Sequence, residues 1–436
     1  MRNLFKKKMP GIKLHLHGKR TKDSIPTLID IPELVKIPMS MHIGAPCVPQ
    51  VKIGDTVQVG QIIGDSDAFV SAPIHASVSG TVTAMEEITY SSGIRTTAVV
   101  IQSDGQQTLH ESVQPHEINS REEFIAAVRA SGLVGLGGAG FPTHVKMAPK
   151  NPDAIDTLIV NGAECEPFIT SDYRIMMDDA EQVIDGIELI QKYLNIKECI
   201  IAIEDDKMEA VHRFLKLTAN KEYIRIFPMN AIYPRGAEKV ITYEATGRVI
   251  PQGKLPADVG VLVSNIRTVS CISRYIRTGL PLVQKTVTVD GSAVDMPQNV
   301  VVPIGTRISD VIAYCGGYSL LPRLLLMGGP MMGISLYTDD YPVLKNNNAI
   351  LAFAEKEAVI APATPCIRCG SCVRACPVDL MPLALERAVE KSDADELRAL
   401  HIDVCMECGC CSFVCPSKRP LVVSHQMGKA LLRAQT

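Results

Sequence analysis

The chain carries one cysteine pattern twice near its C-terminal end. The first run is Cys366, Cys369, Cys372 and Cys376, followed by Pro377. The second is Cys405, Cys408, Cys411 and Cys415, followed by Pro416. Both read C-x2-C-x2-C-x3-C-P. A thiolate at every third position lets a tight loop wrap three corners of an iron–sulfur cubane, and the fourth cysteine of each run ligates the other cluster. The pattern predicts one [4Fe-4S] cluster on Cys366, Cys369, Cys372 and Cys415 and a second on Cys405, Cys408, Cys411 and Cys376. Gly370 and Gly409 permit the close backbone approach that such wrapping needs. A structural zinc site needs four thiolates per metal and has no use for a repeated Cys-Pro. This end of the chain therefore reads as a domain that moves electrons one at a time.

The 436 residues leave room for roughly three or four domains. A net charge of −3, no Trp and 5% aromatic residues argue against a nucleic-acid partner. Of the other cysteines, Cys410 lies inside the second run, and most of Cys47, Cys165, Cys199, Cys271 and Cys315 read as small buried hydrophobes. The basic residues Arg2, Lys6, Lys7, Lys8, Lys13, Lys19 and Arg20 precede no apolar stretch, so the N-terminal segment (1–34) is not a signal peptide. It reads as a solvated tail, with anionic lipid or an acidic partner as its other use. No apolar run reaches the ~18 residues of a membrane span, and thiolate ligands without an export signal place the chain in a reducing cytosol.

Residues 35–110 read as all-β, with Val/Ile-rich runs between glycine turns (VKIGDTVQVGQIIGD, SVSGTVTAM). They resemble the barrel-sandwich fold of biotinyl and lipoyl carriers. No lysine stands between Lys52 and residue 104 to carry a swinging arm, so the module reads as structural or docking. Residues 111–265 alternate helix and strand. Ser120 and Glu123 form a capping box. Strand 156–162, helix 178–194, strand 198–204, helix 207–218 and strand 222–228 follow, which implies a parallel sheet with helices on its faces. Residues 266–355 return to β, with a hairpin turn at Asp290-Gly291 and a short helix starting near Ser309; they resemble a β-grasp module of the soluble-ligand-binding type. Residues 356–436 form a mainly helical cluster domain.

A second site lies in GLGGAGFPTHVK (135–146). Its glycines expose backbone N–H groups to a flat or anionic ligand, and Lys146 adds positive charge; a tight structural turn is the other reading of this loop. Asn161, Glu164 and Glu166 follow at one strand end, and YPRGAEK (233–239) and SNIRT (264–268) follow later strands. Polar and glycine residues gathered at carboxyl strand ends form a binding crevice. His144 lies in the glycine loop, His42 in HIGAP (42–46) and His75 in FVSAPIHASVSGTV (69–82); all three read as packing residues.

These motifs resemble the flavin site of the FMN- and NADH-binding subunit of respiratory complex I. Together with HIGAP (42–46), FVSAPIHASVSGTV (69–82) and CMECGCCSFVCPSKRPL (405–421), they resemble the RnfC family over residues ~35–430. The resemblance implies a multidomain α/β and β architecture: barrel-sandwich, complex-I-type FMN domain, β-grasp and two-cluster ferredoxin domain. It implies that Gly135, Gly137, Gly138 and Lys146 cradle the FMN phosphate and ribityl chain, that Asn161 and Glu164 bond the flavin, and that Tyr233, Gly236, Asn265 and Thr268 close the pocket. Phe141, Glu166 and Glu238 match positions that place NAD(H). Leu136, Ala163, Ala237 and Ser264 depart from the complex I pattern. The resemblance further implies a peripheral subunit on the cytoplasmic side of the membrane, linking NAD(H), FMN and two [4Fe-4S] clusters to the membrane subunits of an Rnf-type complex and, through them, to ferredoxin. In that setting the flavin carries the chemistry and no catalytic side chain is expected. Two other readings share some of these motifs: a soluble corrinoid reductase or amino-acid-reductase electron donor, and a scaffold merely stapled by clusters.

Overall fold

In the computed structural model, which describes residues 9–14 and 19–435, four sheets lead into a C-terminal helical unit. The first two make a barrel-sandwich. Strands Leu34–Pro38, Arg95–Ser103, Gly80–Thr89 and Thr56–Val57 form one antiparallel sheet, and Val48–Pro49, Ile62–Asp65 and Ile74–His75 the other. Alternation drives this: Val35, Ile37, Val57, Ile63, Ile74, Val82, Val99 and Ile101 all point into one core, as a two-residue side-chain period requires.

The next sheet is fully parallel, in the order Ile224–Met229, Glu198–Glu204, Thr157–Gly162, Val261–Asn265. Its strands are apolar on both faces. Ile159, Ile200, Ala202, Val261 and Val263 meet helix Glu238–Thr246 through Ile241 and Ala245. Leu158, Val160, Cys199, Ile201 and Ile203 meet helices Ser171–Asp178, Ala180–Leu194, Met208–Leu217 and Ile266–Thr278 on the other side. The last of these helices lies against Ala180–Leu194 so closely that a Cβ on Gly186 would fall 2.2 Å from the Val269 carbonyl. Chain order runs outward from Thr157–Gly162 in one direction, then returns to its other side with Val261–Asn265. The topological switch point is thus between those two strands, and ligands on such sheets bind outside the carboxyl ends at that point.

The β-grasp unit is a six-stranded mixed sheet with helix Ile308–Tyr314. Gln284–Asp290 and Gln298–Pro303 pair antiparallel as expected, but residues 291–297 connect them, longer than a two-residue turn. The Asp290 carboxylate instead bonds Arg20 and the Gly291 amide. The helix begins at Ile308, with Arg307 rather than Ser309 at its cap.

The solvated-tail expectation for the N-terminal segment fails over the described residues 9–14 and 19–34; Arg2, Lys6, Lys7 and Lys8 lie outside them. Thr27–Leu28 adds an edge strand to the β-grasp sheet. Arg20 pairs with buried Asp290 at 2.6 Å, and half-buried Lys19 pairs with Glu164. Burial of a charge demands such partners. The cluster domain is helical: Pro382–Glu390, Ala394–Ala399 and Leu421–Arg433 pack around Leu385, Leu397 and Ile402. The helical pattern between the cysteine runs breaks at Ser392, which takes φ 53°, and restarts from an Asp393 side chain that accepts from the Glu396 amide. Among the described residues, no helix is long and apolar enough to cross a membrane.

Candidate functional site: a glycine crevice joined to two thiol clusters

Asn161 and Asn265 are register partners at the ends of the two strands flanking the switch point. The glycine loop sits over them. Its neck is closed by the Gly135 amide on the Phe141 carbonyl, 2.8 Å, and the Leu136 amide on Thr268 Oγ1, 3.2 Å. Gly137 abuts Asn265, where an added Cβ would lie 2.5 Å from Nδ2. Gly137, Gly138 and Ala139 are exposed, and their amides have no acceptor among the described residues. A run of amides facing solvent is a cradle for anionic or flat ligands, and these residues fit an FMN phosphate and chain.

Neighbouring domains clamp the loop. Lys285 Nζ donates to the Leu136 carbonyl, Asn346 Nδ2 to that of Gly138, and the Ile43 amide to that of Gly140. Asn265 caps helix Ile266–Thr278 by accepting from the Arg267 and Thr268 amides, and its Nδ2 donates to Asp172 at 2.6 Å. Asp172 also pairs with buried Arg267. Asn161 donates to the Gly236 carbonyl at 2.8 Å. Lys146 Nζ donates to Glu238 at 2.5 Å and to the Val263 carbonyl at 3.0 Å. Gly135, Gly137, Gly138, Phe141, Lys146, Asn161, Gly236, Glu238, Asn265 and Thr268 thus gather at one crevice.

Three expected site residues are otherwise engaged. Glu164 accepts from the Asp172 and Tyr173 amides at the start of helix Ser171–Asp178; burial pushes its carboxyl up to about 7, opposed by Lys19. Glu166 accepts from the Met331 and Met332 amides at 3.0 and 2.9 Å, holding a β-grasp loop, and burial raises it to about 7. Tyr233 is 3% exposed. Its hydroxyl donates to the Cys408 carbonyl, and its own carbonyl accepts from the Ile12 amide. Lys19, Asp172, Arg267, Lys285 and Asn346 are members that sequence reasoning missed. Lys19 carried a signal as part of a basic cluster, and Arg267 lies within the SNIRT segment.

The thiols fall into two groups. Cys366, Cys369 and Cys372 line one cavity of about 530 Å³ together with Cys415 from the other run. Burial raises the Cys372 thiol, and Cys415 and Cys366 add to that. In the second group burial raises Cys411 to about 12, with Cys408, Cys405 and Cys376 contributing, and raises Cys405 to about 11, with Cys408 and Cys376 contributing. Such interactions require proximity. Among the described residues no three potential ligands converge on a single metal ion. The four thiols that line the first cavity are placed to hold a cubane.

A parallel sheet with a glycine crevice at its switch point, coupled to paired cysteine runs, defines a flavin and iron–sulfur electron-transfer protein. Comparison with known families agrees: the Nuo51 FMN-binding domain matches residues 128–274, the RnfC barrel sandwich hybrid domain 6–106, the SLBB domain 286–335 and a 4Fe-4S dicluster domain 365–418. One relative is the C subunit of the Na(+)-translocating ferredoxin:NAD(+) oxidoreductase complex of Acetobacterium woodii, 42% identical over 407 residues, covering 93% of this chain and 92% of the relative. The proton-translocating counterpart of Clostridium ljungdahlii is 40% identical, covering 81% and 78%. Its equivalent in the ion-translocating oxidoreductase complex of Rhodobacter capsulatus is 38% identical, covering 97% and 82%. The chain belongs to the RnfC family. A chain in the crystal structure of an NAD+-reducing [NiFe]-hydrogenase shares the fold, with a TM-score of 0.50 and 17% identity, covering 72% of this chain and 61% of that one.

Proposed function

We propose that this chain is the peripheral electron-transfer component, the RnfC-type member, of an ion-translocating ferredoxin:NAD+ oxidoreductase complex. It sits on the cytoplasmic side of the membrane, exchanges electrons with NAD(H), and meets ferredoxin only through the complex's membrane subunits. The observation that carries this reading is the joint between the two halves: the segment that closes the glycine crevice also bonds the second cysteine loop, through Tyr233 and Cys408.

In this reading the amides of Gly137–Ala139 and the Lys146 ammonium hold the FMN phosphate and chain, with Gly135 fixing the loop's neck. Asn161 and Asn265 present side-chain amides at the floor, while Gly236 and Thr268 set the walls. Phe141 and Glu238 border the entry for NAD(H). Glu164 and Glu166 act through the backbone they hold. FMN, when bound, supplies the conversion between a hydride pair and single electrons. Cys366, Cys369, Cys372 and Cys415 hold one cubane, and Cys405, Cys408, Cys411 and Cys376 the other. The chain's own residues orient, exclude water and tune potentials through hydrogen bonds and burial.

Anaerobic reconstitution followed by NADH titration tests this. About eight iron atoms and one FMN per chain are expected, with loss of flavin absorbance followed by cubane EPR signals. A protein that takes up clusters but no FMN, or FMN that NADH leaves oxidised, overturns it.

A further inference from the structure

The two cysteine runs share a backbone but not surroundings. Arg368 and Glu407 occupy the same place in each run and both take φ +56°; the glycines that follow, Gly370 and Gly409, take φ +73° and +78°. In the second run this loop is covered. The Cys408 carbonyl accepts from Tyr233, a Cβ on Gly409 would lie 3.1 Å from the Met331 carbonyl, and Glu407 is paired with Lys429 at 2.7 Å. In the first run the same loop is bare. Cys369 is exposed, and among the described residues its carbonyl is met only by Arg374. Ile367 is 68% and Met381 56% exposed beside it. Apolar side chains grouped at an exposed loop mark an interaction site.

The charge around this loop has one sign in excess. The cavity of Cys366, Cys369, Cys372 and Cys415 is lined by Arg368, Arg387, Lys391 and Arg419 against Asp393 and Glu396. Arg419 is spent on Glu386 and Glu390, and Asp393 caps its own helix. Arg368, Arg387 and Lys391 are exposed and have no ion-pair partner among the described residues. This basic rim stands on a chain whose net charge is −3.

We propose that the Ile367–Ser371 loop with its rim of Arg368, Arg387 and Lys391 is the docking face for a second protein, one that presents an acidic surface over its own one-electron centre. The flavin domain occupies the equivalent face of the second run, so the duplication leaves one face for an internal partner and one for an external partner. The proposal rests on the cluster ligation given above. Complementary charge steers association and fixes register.

The test uses an acidic plant-type [2Fe-2S] ferredoxin as a stand-in for any acidic one-electron partner, not as this chain's own partner, with the reconstituted full chain. Binding of the oxidised probe is followed by interferometry across a salt series, and zero-length carboxylate–amine cross-links are mapped by mass spectrometry. Wild type is expected to bind more weakly as salt rises and to cross-link at Lys391. Arg368→Glu installs the residue that the second run already carries at that backbone geometry; combined with Lys391→Glu it is expected to lower the association rate by about tenfold and flatten the salt series. Iron content and the full extent of cluster reduction by excess reduced methyl viologen should stay at wild-type values, which separates loss of the face from loss of the clusters. Equal binding by the double variant, or cross-links confined to lysines away from this rim, overturns the proposal.

Discussion

The Tyr233 hydroxyl donates to the main-chain carbonyl of Cys408 at 2.8 Å. One residue of the crevice segment therefore touches one residue of a predicted cubane loop. Ile12, Leu14, Ala375 and Cys410 pack around the same joint, with Cys165 and Met331 at its edge. This packed, apolar joint excludes water from the contact between the crevice segment and the second cysteine loop.

Tyr233→Phe keeps the ring and removes this single bond. A buried hydrogen bond contributes about 1 kcal/mol net, so the fold should survive while the joint loosens. NADH should bleach the flavin at the wild-type rate in stopped flow, and the later cluster bleaching should slow. Unchanged cluster kinetics would mean that the joint does not set the distance.

Gly137→Ala probes the cradle. The new methyl would meet Asn265 Nδ2 at 2.5 Å, whereas a methyl on Gly138 has nothing within 4 Å. Asn265 is tied to Asp172 and to its own helix and has little room to yield. Gly137→Ala is expected to weaken FMN binding by at least about tenfold, the effect of losing ~1.4 kcal/mol, with circular dichroism unchanged. Gly138→Ala should lose less. Flavin-to-protein ratios after desalting measure both.

The parallel strands were legible because ECIIAIE and TLIVNG are short apolar runs buried on both faces, which leave little choice of structure. Helix Ile266–Thr278 was not legible. Its Arg267, Ser270 and Ser273 are buried, and their partners Asp172, Gln182 and Asp185 come from other helices. Lys19 and Arg20 looked solvated for the same reason: Glu164 and Asp290 lie 145 and 270 residues away. Local pattern carries burial, but not a partner supplied by tertiary folding. The crevice was legible through its glycines, whereas the engagement of Glu164 and Glu166 with backbone amides had no counterpart in the motif.

Glu166 gives a pH signature. Burial raises its carboxyl from 4.5 to about 7 in the folded chain. Between those values the folded state binds more protons than the unfolded state, so stability falls as pH rises through this window, by at most roughly 1.4 kcal/mol per unit. Melting temperature should therefore drop from pH 5.5 to 7.5. Glu166→Gln cannot ionise and should show a flatter profile, at the cost of one accepted backbone bond. A variant with the wild-type slope would assign the dependence to other groups.

Crosswise ligation separates the two centres by mutation. Cys376 belongs to the first run by sequence, yet it lies among Cys405, Cys408 and Cys411, and Cys415 lies with Cys366, Cys369 and Cys372. Cys376→Ser should therefore remove the cubane next to Tyr233, and Cys415→Ser the one at the exposed loop. Each variant should fall from about eight to about four iron atoms. NADH should still reduce the remaining cubane of Cys415→Ser quickly, because the joint at Cys408 is intact. In Cys376→Ser the remaining cubane lacks that joint, and its reduction by NADH should be much slower while dithionite reduces it normally. If each serine instead removes the cluster of its own run, or if both variants accept electrons from NADH at equal rates, the crosswise assignment and the order of the two centres are both wrong.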